Sequence, residues 1–164
     1  TDVAPQLSTL IPGNSLPQII GLYKIYIWDW SNNSRGPLAP DPEVTLIGIT
    51  INPGQTLVVP NSGYDIGSGY QVMVLYANES TITLKYTRED NVIYGYTLHA
   101  DRICVDNNLL ALYRSMNDQG RSSLPVLRAG QVFGYAKTKE AVIAIRDTGA
   151  FMDPRVRKDW WRGY

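Results

Sequence analysis

His99 is the only histidine in this chain of 164 residues, and Cys104 is the only cysteine. Acid–base catalysis, nucleophilic attack and metal ligation draw heavily on these two residue types. His99 with Asp101 offers a base and a carboxylate that could orient it. No Gly-x-Ser-x-Gly elbow exists to complete a triad, so His99 reads as a structural histidine. One cysteine excludes an internal disulfide and a Cys-based metal site. Cys104 stands in the apolar run Ile103-Cys104-Val105, where an inert core thiol is expected. Glycoside hydrolysis needs two carboxylates roughly 5–9.5 Å apart. Asp29, Asp41, Glu43, Asp65, Glu79, Glu89, Asp90 and Glu140 are candidates, but none lies in a distinctive motif and most read as turn or surface residues. Oxygens in the 29–43 loop could hold Ca²⁺, although no EF-hand spacing occurs. No catalytic residue, metal ligand or cofactor is assigned.

The most suggestive group is Trp28-Asp29-Trp30 beside Ser31-Asn32-Asn33-Ser34-Arg35. On a strand, Trp28 and Trp30 point to one face and Asp29 to the other. Two indoles on one face form either a core plug or an exposed stacking platform. A platform would stack the C–H faces of sugars, with Asp29, Asn32, Asn33 and Arg35 binding hydroxyls. Tyr64 joins this candidate ligand set from the glycine-rich segment 63–69. That segment lacks Gly-Lys-Ser/Thr and joins no strand to a helix, so it reads as a wide hairpin loop and not a phosphate loop. Trp160 and Trp161, in the basic aromatic tail 155–164, pose the same question. On a strand they would point to opposite faces, so at least one is expected to pack inward. Arg155, Arg157, Lys158 and Arg162 around them read as a solvated surface.

The elements that must position these residues are mostly strands. Residues 22–30, 44–51, 57–60, 71–77, 81–87, 92–99, 132–134 and 141–146 are β-branched or aromatic-rich, or alternate in polarity. The segments 71–77, 81–87 and 92–99 form a meander with short polar connectors. Residues 31–42 and 127–131 read as loop and turn, and 52–55 as a turn with Gly54 in its third position. Residues 1–20 read as an extended, proline-bearing lead-in. One helix is expected at about 106–119, capped by Asp106 or Asn107 and ended by Gly120. The fold class is therefore mostly β, an antiparallel sheet or sandwich of short strands with one inserted helix, in a single domain over 1–164.

Lys plus Arg and Asp plus Glu number 15 each, so the net charge is zero. That gives no electrostatic footprint for nucleic acid or an anionic membrane. No stretch approaches the roughly 18 apolar residues of a membrane-spanning helix. Charged residues make up 18%, below the roughly 25% usual for soluble domains. Asn, Ser, Thr, Gln and eleven tyrosines must supply the polar surface.

The C-terminal two thirds resembles the lysostaphin/LytM-type zinc peptidases, a β-sheet family that cuts peptidoglycan cross-links. The likeness rests on Gly95-Tyr96-Thr97-Leu98-His99, on Arg128-Ala129-Gly130-Gln131-Val132-Phe133-Gly134, and on Glu140 through Gly149 with Arg146-Asp147-Thr148-Gly149, ending in Met152-Asp153-Pro154. It spans roughly residues 44–155, with the helix as an insertion. The family's His-x-His falls on Glu140 and Val142, and its upstream histidine-and-aspartate segment falls near Tyr26-Ile27-Trp28-Asp29. His99 stands one residue out of register with Tyr-x-His-Leu. The resemblance thus implies a degenerate scaffold without the zinc ligands. The expected function is a non-catalytic carbohydrate- or cell-wall-binding module, whose partner is a polysaccharide or peptidoglycan. The chain begins at Thr1 without methionine, and it reads as part of a larger secreted or surface-displayed protein. The alternatives are a structural or adhesion module that contacts proteins, and a hydrolase, either a glycosidase or a residual metallopeptidase.

Overall fold

The computed structural model describes residues 4–13, 17–38, 44–63, 65–155 and 160–161, with only the backbone at Ile27 and Trp28. The strands are β1 (Ile19–Tyr23), β2 (Tyr26–Asp29), β3 (Ser34–Leu38), β4 (Leu46–Thr50), β5 (Thr56–Val58), β6 (Val72–Ala77) and β7 (Ile82–Lys85). They continue as β8 (Tyr96–Asp101), β9 (Ile103–Val105), β10 (Val126–Leu127), β11 (Val132–Ala136), β12 (Glu140–Asp147) and β13 (Ala150–Met152). One helix, α1 (Asn107–Asp118), follows β9. The architecture is mostly β and antiparallel with one inserted helix, as the periodicity predicts.

The main sheet has eight strands in the order β1-β4-β12-β8-β7-β6-β10, with β13 also on β12. β12 is long enough to hold β8 along one edge and two strands along the other. Its Glu140–Ala144 half pairs with β4 and its Ile145–Asp147 half with β13. A second sheet runs β5-β11-β9, and β2 pairs with β3 in a separate hairpin. The chain passes from the main sheet to the second at Arg102, whose φ of 56° breaks the strand between β8 and β9. Bends of this kind let one strand serve two packed sheets.

The core lies on one face of the main sheet. Alternation along β12 sends Ala141, Ile143 and Ile145 into it, all fully buried. Leu98, Leu84 and Ile47 join them, and Leu57, Phe133 and Ile103 come from the second sheet. α1 contributes Leu109, Leu110 and Tyr113. Its Asp106 carboxylate accepts the backbone N–H of Leu109 at 3.1 Å, and Gly120 with φ 98° follows its last turn.

Several sequence expectations need correction. Residues 31–42 are not all loop, because β3 takes Ser34–Leu38 from them. Pro37 is tolerated there because, among the described residues, β3 pairs only with β2 and so lies at an edge. The run 22–30 is two strands that break at Lys24-Ile25, where the Ile25 amide donates to the Thr45 hydroxyl. The third meander strand starts at Tyr96, not Val92. Gly95 with φ 67° and the buried Lys85 ammonium, which donates to the Tyr94 carbonyl, hold the preceding loop off the ladder. The turn expected at 127–131 is shorter, since Leu127 already pairs in β10. The lead-in is no free extended arm. Leu7–Thr9 form a 3₁₀ turn, and Ala4, Leu7, Leu10 and Ile11 are buried. Cys104 is exposed: with Ile103 and Val105 turned inward on β9, alternation turns the residue between them outward. Of Trp160 and Trp161, at least one is expected to pack inward, and both are buried.

Candidate functional site

The β2–β3 hairpin gathers most of the predicted ligand residues. The Asp29 carboxylate accepts the backbone N–H groups of Ser31 and Asn32 at 3.0 and 3.2 Å and the Asn32 side-chain amide at 2.7 Å. The Asn32 side chain is the main reason that the Asp29 carboxyl is held below its ordinary range. Asn33 completes the turn with φ 49°, a left-handed conformation that asparagine tolerates. Trp30 sits in this turn beyond the end of β2, so strand alternation does not govern it. Its side chain is 85% exposed. Across the hairpin, the Arg35 guanidinium lies 4.2 Å from the centre of the exposed Tyr26 ring.

Asp29, Trp30, Asn32, Asn33 and Arg35 therefore share one hairpin, and Asp29 and Asn32 are tied to each other. The Trp28 backbone pairs with Arg35, but its side chain lies outside the described residues, as does Tyr64. Tyr26 is the contact that sequence reasoning missed. Its period-two relation to Trp28 was the available signal.

His99, Glu140 and Val142, singled out by the peptidase resemblance, lie on the other face of the main sheet. His99 pairs with Ala144 on one side and Thr83 on the other, and Val142 pairs with Asp101. Glu140, Val142 and Arg146 therefore share a face with His99, Thr97, Thr83 and Lys85. The Thr97 hydroxyl is buried without a partner among the described residues, and the other polar members have local roles. The Nδ1 of His99 lies 3.1 Å from the Thr83 hydroxyl, and its Nε2 is buried without a partner. Burial, with a smaller contribution from the Arg146 charge, lowers the His99 pKa to about 4. The ring is therefore neutral at pH 7. Asp101 accepts from the Thr81 hydroxyl and the Arg102 amide, so it does not orient His99.

Glu140 accepts from the Tyr23 hydroxyl at 2.8 and 2.9 Å and pairs with Arg102 at 3.0 Å. Its side chain lies over Gly48 and Gly21, where a Cβ would come within 2.1 and 2.6 Å of its carboxylate. Lys85 is fully buried, and desolvation lowers its pKa. Arg146 donates to the Gly149 carbonyl at 2.8 and 3.0 Å and lies over Phe151. Among the described residues, no three His, Cys, Asp or Glu side chains are placed to hold a metal.

A third feature is a cavity of about 660 Å³ between the loop before β6 and the segment from Tyr86 to Tyr96. Asp65, Ile66 and Gly67 form one wall, and Thr87, Arg88 and Tyr96 line the other. The Asp65 carboxylate accepts the amides of Gly67 at 2.6 Å and Gly69 at 3.1 Å. Arg88 packs on Gly67 and donates to the Ile66 carbonyl. Arg128 packs on Gly69 and over the Tyr70 ring, 4.4 Å from its centre. Only glycine, with no Cβ and with positive φ, admits both guanidinium groups so close to the loop.

No family model, curated protein or solved structure matches this chain.

Proposed function

We propose that this chain is a non-catalytic carbohydrate- or cell-wall-binding module of a secreted or surface protein, and that the β2–β3 hairpin meets the ligand. The carrying observation is the indole of Trp30, 85% exposed at the hairpin tip. Beside it stand Asn32, Asn33 and the exposed Tyr26–Arg35 pair. An exposed aromatic with amide neighbours suits a ligand that has C–H faces and hydroxyl edges. The same reading treats the sheet as a degenerate relative of the lysostaphin/LytM scaffold. Glu140 and Val142 stand at the implied ligand positions, and Glu140 is engaged by Tyr23 and Arg102.

Calorimetric titration against soluble glucans, xylans and peptidoglycan fragments tests the proposal. One class is expected to bind, and Trp30→Ala is expected to weaken it by about tenfold or more, as loss of an aromatic anchor does. The fold should survive this change because Trp30 lies outside the core. No binding to any class, or unchanged binding in the variant, overturns it.

A second reading, a protein-contacting adhesion module, is favoured by one specific feature. Ile20 and Leu22 are more than half exposed on β1, which among the described residues pairs only with β4. Exposed apolar side chains on an edge strand are a pairing liability. Concentration-dependent association in sedimentation equilibrium, without any glycan, would favour this reading.

A further inference from the structure

We propose that the cavity beside the Asp65–Tyr70 loop is a second binding site, and that its ligand is a sugar acid, a carbohydrate unit carrying a carboxylate. The site does not rest on the hairpin. Its volume of about 660 Å³ falls within the usual range for small-ligand sites.

Arg88 supplies the charge. Its Nε is used by the Ile66 carbonyl, which fixes the guanidinium against Gly67 and leaves its outer nitrogens for another acceptor. Among the described residues, no carboxylate forms an ion pair with Arg88 or Arg128. The acidic residues next to Arg88 in sequence are engaged elsewhere. Glu89 is drawn to the Thr87 side chain and, more weakly, to the Lys85 charge, and Asp90 is gripped by Arg121 at 2.6 Å. Asp65 spends its charge on two amides of its own loop. An arginine fixed along one edge and lacking a carboxylate partner is suited to two-point recognition of a carboxylate.

The rest of the lining selects for a sugar. Each Asp65 oxygen accepts a loop amide and keeps a second lone pair for a hydroxyl, while Ile66 and Tyr96 give apolar surface for C–H groups. A simple inorganic anion would use only Arg88. A neutral sugar would leave the arginine unmatched.

Glucuronate and glucose share a ring and differ in the carboxylate, so they separate these cases. Titration followed by amide chemical shifts is expected to show saturable changes around residues 65–70 and 86–96 with glucuronate but not glucose. Arg88→Gln is expected to weaken glucuronate binding by about tenfold or more. Arg114→Gln removes the same charge from α1 and should leave binding unchanged. Thermal unfolding confirms that each variant is folded. Equal responses to both sugars, no response to glucuronate, full binding by folded Arg88→Gln, or an equal loss in Arg114→Gln each overturns the proposal.

Discussion

Lowering the pH from about 7.5 to about 4.5 is expected to cost this fold about 2–3 kcal/mol through His99 alone. The ring is buried in the main sheet, and its pKa falls to about 4, against about 6.5 for an exposed imidazole. Desolvation is the larger cause and the Arg146 charge the smaller. Lys85 adds a second cation to the same face, while the Thr83 hydroxyl and the Phe151 ring pack against the imidazole.

The unfolded chain takes up a proton at His99 near pH 6.5, and the folded protein does so only near pH 4. The stability held by the neutral ring is therefore complete above about pH 6.5 and is lost as the pH falls toward about 4. Asp90 and Asp153 act in a lower window. Arg121 and Arg155 hold their carboxyls below the ordinary range, so their contribution persists until the pH drops below that range. Urea unfolding of wild type and His99→Gln at the two pH values checks the prediction. The wild type should lose about 2–3 kcal/mol more than the variant. Equal losses in the two proteins would rule out His99 as the acid-sensitive group.

Trp160→Ala is expected to remove about 3–5 kcal/mol of stability, as truncating a large buried aromatic does. Against the roughly 5–15 kcal/mol typical of a whole domain, that loss is large. Trp160 is 1% exposed, its Nε1 donates to the Asp153 carbonyl at 3.1 Å, and its ring meets the edge of Tyr96 with centres 5.7 Å apart. Trp161 makes the matching bond to the Pro154 carbonyl at 2.8 Å. The two indoles tie the end of the chain back onto the turn after β13. Trp160→Phe keeps most of the packing and loses the N–H donor, so a smaller loss of about 1 kcal/mol is expected. Denaturant midpoints at constant slope measure both losses. A loss under about 1 kcal/mol for Trp160→Ala would mean that the tail contributes little to the core.

Most strands were legible in the sequence because their periodicity is local. The 71–77 and 81–87 runs, the 141–146 run and the capped helix depend on side-chain spacing within a few residues, and all were placed correctly. Features that depend on a partner strand were not legible. Ser34–Leu38 carries Gly36 and Pro37 and reads as loop until β2 lies beside it. The start of β8 was misplaced because Val92, Ile93 and Tyr94 look like strand, while Asn91 and Gly95 fold them into a loop. At the candidate site, the cluster from Asp29 to Arg35 was legible from its residue types. The stack on Tyr26 and the exposure of Trp30 were not, because both depend on where the hairpin turns.

By itself, the sequence determined that this is an antiparallel, mostly β chain with one helix. It also determined that a single histidine and a single cysteine leave little room for metal or thiol chemistry. Composition and short-range periodicity suffice for both conclusions. Only the tertiary structure decided which way each side chain faces. His99 entered as one imidazole next to an aspartate, and the sheet buries it against Thr83, Arg146 and Phe151. Cys104 entered as a core thiol, and β9 turns it to solvent. The cavity beside Arg88 shows in the sequence only as one glycine-rich wall, since the other wall is a segment about twenty residues away. The physical reason is common to all three. Facing and neighbourhood are set by long-range strand pairing and register, and one residue of register reverses every side chain on a strand.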